Sequence, residues 1–121
     1  MTILTEGTRK AEFLVSEANA FRSRDTGTVT VPSGGLASGT VLGQITATGK
    51  FIRQDTAAVD GSEAHAAVLF EPLTVAGDIV ATIIARDAEV NADDLTYEAG
   101  ATAGEITAAN AALAALGIIV R

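Results

Sequence analysis

Apolar and polar residues alternate in short runs through most of this chain, and turn-forming residues separate the runs. "TVTV" (28–31) has period two and stops at Pro32, as a strand end should. "TVLGQIT" (40–46) predicts a strand in which Gly43 marks a bulge or a close approach. "ATGK" (47–50) is a turn and "FIRQD" (51–55) runs back, which makes a β-hairpin. "HAAVLFEPL" (65–73) predicts another strand, ended by Pro72. "IVATIIAR" (79–86) is the strongest strand, and it is apolar on both faces, as in a central strand. Near the N-terminus, "EFLVSEA" (12–18) reads as a short strand and "NAFRSRDTG" (19–27) as a polar turn ending at Gly27. Residues 1–12 carry no period and read as an arm or extended tail.

The period changes at "TAGEITAANAALAALG" (102–117). Ile106, Ala109, Leu113 and Leu116 recur at helical spacing in an alanine-rich run. Thr102 with Glu105 is a capping box, Thr107 is an alternative start, and Gly117 can end the helix in a left-handed conformation. "IIVR" then closes the chain as a strand. The expected fold class is mainly β with one short C-terminal helix (α+β). The expected organisation is an N-terminal arm, residues 1–18, and a single β-rich domain, residues 19–121.

Composition adds two constraints. Aromatics are 4% of the chain and tryptophan is absent, so the core must be built from small aliphatic groups, and neighbouring subunits are expected to add stability. With no cysteine, disulfides and thiolate metal sites are excluded. No secretory leader or long apolar run is visible, so a soluble protein without a membrane anchor is expected. The net charge is −7. Arg9, Lys10, Arg22 and Arg24 balance Glu6, Glu12, Glu17 and Asp25, so all of the excess lies in residues 26–121. Such a body repels nucleic acid and anionic membrane.

Five patterns invite chemistry. The glycines of "PSGGLASGTVLGQITATGKF" (32–51) fail the phosphate-loop spacing: five residues separate Gly43 from Gly49, and Phe51 follows Lys50. They read as turns and bulges. Lys50 at a hairpin tip suggests a biotinyl- or lipoyl-type carrier lysine or a small-ligand module, but Thr48, Gly49 and Phe51 do not match the flanks of carrier sites, and a solvated turn lysine is the competing explanation. Asp87, Glu89, Asn91, Asp93 and Glu98 fall at calcium-loop positions, yet Ala92 stands where glycine is required and a strand precedes the segment instead of a helix. Asp60, Ser62 and His65 lie within six residues, but triad members normally come from separate elements, and no nucleophile elbow is present. "FRSRD" (21–25) offers two arginines to nucleic acid, but its acidic flanks favour ordinary salt bridges or a protein contact. No catalytic, cofactor or metal site is therefore expected, which leaves binding or assembly.

Several stretches, in order, resemble one family. They are "FLVSEANAFRSRDTGTV" (13–29), "LASGTVLGQITATGKF" (36–51), "DGSEAHAAVLFEPL" (60–73), "IVATIIARDAEVNADDL" (79–95) and "AALAALGIIVR" (111–121). Together they resemble bacteriophage head decoration proteins of the lambda D type. That resemblance implies a small barrel-like, tulip-shaped β subunit with an extended N-terminal arm, no cofactor and no reaction. It implies a homotrimer that binds the major capsid protein on the outside of an expanded capsid, at local three-fold positions, and resists the pressure of packaged DNA. The implied location is the virion surface, after synthesis in the host cytoplasm, without nucleic-acid or membrane partners. On this view Arg9, Lys10, Glu12, Phe13, Leu14 and Val15 belong to the docking arm. Glu17, Arg22, Arg24 and Asp25 are candidates for interface ion pairs. Deleting residues 1–15 is expected to leave a folded body.

Overall fold

The structure, a computed structural model, describes residues 7–121, with the side chain of Phe21 left aside. Among these residues the strands are β1 (Leu14–Glu17), β2 (Arg24–Val31), β3 (Val41–Gln44), β4 (Phe51–Arg53), β5 (His65–Leu69), β6 (Gly77–Ile84), β7 (Ala88–Val90) and β8 (Ile118–Val120). One α-helix, α1 (Ala103–Ala115), lies between β7 and β8, and single 3-10 turns occupy Asn19–Phe21 and Ala92–Asp94. The fold is thus β-rich with one short C-terminal helix, as expected.

Five strands close a barrel in the order β2-β4-β3-β5-β6, and β1-β7-β8 form a separate small sheet. Strand alternation sorts the apolar residues into two cores. Leu42, Ala67, Leu69 and Ile83 join Val29, Val31, Leu36, Leu73 and Ala81 in one cluster. Their chain neighbours Val41, Val68 and Ile84 face the other way, into a second cluster with Phe13, Phe70, Ala88, Val90, Leu95, Leu113 and Ile118. Strands β3, β5 and β6 are therefore apolar on both faces because the barrel interior lies on one side and the small sheet and helix on the other.

Two glycines mark close approaches. Gly43 sits where the β3–β5 register shifts, and any side chain there would run into the Ser62 carbonyl. Gly27 does not end a turn, as the sequence suggested. It lies within β2, where a Cβ would come 2.7 Å from the Phe51 ring. The glycine makes room for one of the chain's few aromatics. Strand β2 consequently starts at Arg24, inside the segment expected to be a turn.

Strand β6 also departs from expectation. Its second half, Ala81, Ile83 and Ile84, is buried, but Val80 is 69% exposed. The strand pairs with β2 along its whole length, whereas β5 reaches it only at Ile83 and Ile84. Val80, the outward apolar position before that point, has nothing packed over it among the described residues.

The helix is capped as its sequence predicts: the Thr102 hydroxyl accepts from the Glu105 amide, and Gly117 follows at φ +87°. Of the apolar stripe only Ala109 and Leu113 are buried. Ile106 is half-buried and Leu116 is exposed, so the helix touches the body along a narrower line than its spacing suggested.

Candidate functional site

Residues 7–17 are bound to the body. The backbone turns at 9–12, where Glu12 N–H bonds to Arg9 O, Leu14 N–H bonds to Ala11 O, and the Glu12 carboxylate accepts from Arg9 N–H at 2.7 Å. Ala11 N–H bonds to Phe70 O at 2.8 Å, and the Thr8 hydroxyl accepts from Ser38 N–H at 2.9 Å. The Ser38 hydroxyl in turn donates to Phe70 O. Phe13 is 0% exposed in the second core, and β1 pairs antiparallel with β7. The described part of the expected arm is therefore a tethered turn followed by a core strand; residues 1–6 lie outside the described residues. Of the arm residues named from the sequence, Phe13 packs inward, Leu14 is half-buried, and Arg9, Lys10 and Val15 face outward.

Phe70 organises this region. The Arg24 guanidinium lies 4.3 Å from its ring centroid and the Lys10 ammonium 5.6 Å. Both cations meet the negative π cloud of a ring that is itself 4% exposed. No local pattern signals this role, because Arg24 reaches Phe70 through the β2–β6 and β5–β6 pairings and Lys10 through the bond from Ala11 N–H to Phe70 O.

The candidate interface charges have partners within the chain. Arg24 grips Glu17 in a two-pronged pair at 2.9 and 2.6 Å, and that carboxylate raises the Arg24 pKa further. Arg22 lies 3.5 Å from Asp87. Asp25 accepts from Arg86, whose other prong reaches Arg22 O. Arg121 bonds to Glu89, which also accepts from Ser16. These donors, Arg121 foremost, hold the Glu89 carboxyl below its usual range. A charged seam thus ties β1 and β2 to β7 and β8. Sequence reading found its first half but missed Arg86, Asp87, Glu89 and Arg121 as counter-charges, since their partners lie 61 to 73 residues away or on another edge.

The other patterns resolve into local ties. Lys50 pairs with Asp78 at 2.6 Å, and Asp78 also accepts from the Thr30 hydroxyl. Ser62 is buried and donates both its N–H and its hydroxyl to Asp60, which lowers the Asp60 pKa. Among the described residues no hydrogen bond joins Ser62 to His65. Burial lowers the His65 pKa, so its neutral form is favoured. The five acidic-loop residues disperse: Asp87 faces Arg22, Glu89 faces Arg121, and Asn91 caps the Ala92–Asp94 turn. Glu98 accepts from Thr56, and hydrogen bonding from Glu105 and Thr56 lowers its pKa to about 2, while the same Glu98 contact raises Glu105. No group of acids and histidines among the described residues is placed to hold a metal ion. No helix among them is long and apolar enough to cross a membrane.

These features define a structural β module, in which polar side chains brace strands and fix the course of the N-terminal segment. Comparison with protein-family models gives the specific assignment. The model for bacteriophage lambda head decoration protein D matches residues 3–118 of the 121-residue chain. The chain belongs to that family. Searches of curated proteins and of solved structures returned no match. Family membership carries a structural role in decorating a phage capsid and association with the virion.

Proposed function

We propose that this protein is a trimeric cement, binding the outer face of an expanded phage capsid at local three-fold positions and stiffening it against packaged DNA. The family match over residues 3–118 carries this reading. The fold is compatible with it. A subunit with few aromatics gains stability from burial against neighbours, and the N-terminal segment has a fixed root, where Thr8 and Ala11 are tied to Ser38 and Phe70. On this reading the arm pairs with a shell protein main chain to main chain. The docking arm is in this account shorter than the sequence suggested, since Phe13 and β1 are part of the body. Arg22, Arg24, Glu17 and Asp25 act indirectly, by bracing the root of the arm.

Co-sedimentation with expanded shells lacking the protein tests this, with light scattering on the free chain alongside. Saturable binding in multiples of three is expected. Failure to bind cognate shells would overturn the reading.

A further inference from the structure

Arg53 is a cation where the barrel pattern asks for an apolar side chain. It follows Phe51 by two residues on β4, so alternation turns both toward the same side of the strand. Phe51 packs on the barrel cluster, and the register partner of Arg53 is Leu42 of that cluster. The Arg53 Nε–H is buried from solvent and has no acceptor among the described residues. Arg22, Arg24, Arg86 and Arg121 each have a carboxylate within the chain. The next residue, Gln54, is also buried, yet its amide donates to Glu63 O at 2.8 Å. A buried guanidinium N–H without an acceptor is costly and rare in native folds.

Arg53 lines two cavities. One, of about 470 Å³, also carries Asp55, Asp60 and Glu98, but these carboxylates accept from Ala57, from Ser62 and from Thr56. The other, of about 540 Å³, has no charged group except Arg53 among the described residues of its wall. Thr8, Gly34, Leu36, Thr40 and Thr74 are among its lining residues, so it opens beside the root of the N-terminal segment. A planar, singly charged acceptor entering there meets a guanidinium fork with no competing acid among the described lining residues.

We propose that Arg53 and this second cavity form a carboxylate-binding site, filled by an acidic side chain of a protein partner when the subunit docks. The inference rests on the decoration reading for its partner. Because the cavity is lined by Gly7 and Thr8, at the root of the N-terminal segment, the occupant is a shell subunit brought alongside by that segment, and a second copy of this chain is the competing outcome of the test.

The first test uses sodium acetate as the carboxylate probe on the ¹⁵N-labelled full chain, with sodium chloride at matched ionic strength. The Arg53 Nε–Hε resonance, assigned by its loss in Arg53→Lys, should shift saturably with acetate only. An equal response to both salts would overturn the site. This measurement is made on the unaltered protein, so it stands even if a variant misfolds. The second test takes Arg53→Gln, checked for a wild-type melting curve, into shell co-sedimentation and light scattering. Binding at least about thirtyfold weaker with unchanged mass assigns the carboxylate to the shell, and a reduced mass assigns it to the neighbouring copy. Wild-type behaviour in both would also overturn the proposal. If the unaltered protein itself ignores shells, the decoration reading fails, and the acetate titration still decides the site.

Discussion

Replacing Phe13 by alanine separates a core residue from an arm residue. Its ring is 0% exposed and packs in the cluster of Val41, Val68, Phe70, Ile84 and Leu113. Truncation forfeits a transfer free energy of about 2–3 kcal/mol. A residual cavity of roughly 60–100 Å³ adds about 1.5–2.4 kcal/mol at ~24 cal/mol per Å³. The expected loss is about 3–5 kcal/mol, a large part of the ~5–15 kcal/mol that holds a typical domain together. With an unfolding entropy of ~2.1 cal/mol/K per residue, that lowers the Tm by about 12–20 °C. Urea titration followed by far-UV circular dichroism measures it, at one fixed protein concentration because subunit association adds to apparent stability. A loss under about 1 kcal/mol would refute the packing argument and return residue 13 to a solvent-exposed arm. Two truncations sharpen the contrast. Removing residues 1–6 should leave the melting curve within about 0.5 kcal/mol of the parent. Removing residues 1–15 takes Phe13 and half of β1, and should leave a body that does not fold stably.

Three other outcomes are expected. Gly43→Ala drives a methyl group into the Ser62 carbonyl, a backbone atom that cannot swing aside, and should cost more than about 2 kcal/mol in a denaturant titration. A double-mutant cycle on Glu17 and Arg24 should return a coupling of about 1 kcal/mol, since the pair is two-pronged but its side chains keep 19% and 29% of their exposure; zero coupling would make it an ordinary surface pair. Asp60, Asp78, Glu89 and Glu98 all titrate lower in the fold than their ordinary values of 3.8 or 4.5. The unfolded chain therefore binds more protons in that range, so their contribution is present above about pH 5 and is lost as pH falls toward 2. Glu105, shifted upward, works in the opposite sense. An acid titration of stability should show this slope, and Glu89→Gln should flatten it; a steeper limb in the variant would refute the assignment.

The local rules carried most of the fold. The β3–β4 hairpin, the Thr102 cap, the Gly117 stop and the close approach at Gly43 follow from turn chemistry and periodicity, which act within a few residues. The barrel did not follow from them. Its closure depends on one parallel pairing, Val29 with Phe51, and on a glycine at 27 whose purpose is visible only once that ring lies over it. The charged seam was half legible for the same reason. Four of its members are clustered at 17–25, and two of these, Glu17 and Arg24, pair with each other; the partners of Arg22 and Asp25, Asp87 and Arg86, come from the connection between β6 and β7. The strand at 12–18 was legible from its apolar run, but its place was not: nothing in that run shows that Phe13 packs with Val90, Leu113 and Ile118, which lie more than seventy residues away.

The small sheet gives β7 an unusual position in the order of folding. Strand β1 joins one of its edges and β8 the other, so both ends of the folded chain wait on three residues, Ala88–Val90. Pairing Leu14 with Val90 closes a loop that contains the entire barrel. The entropy of that closure must be met before its hydrogen bonds form, which favours a sequence of events in which the barrel condenses first. Once closed, the small sheet holds like a clasp: opening at β7 would release β1 and β8 together, and because Phe13, Val90 and Ile118 share a core with Val41, Val68 and Ile84, it would also strip one face of the barrel strands.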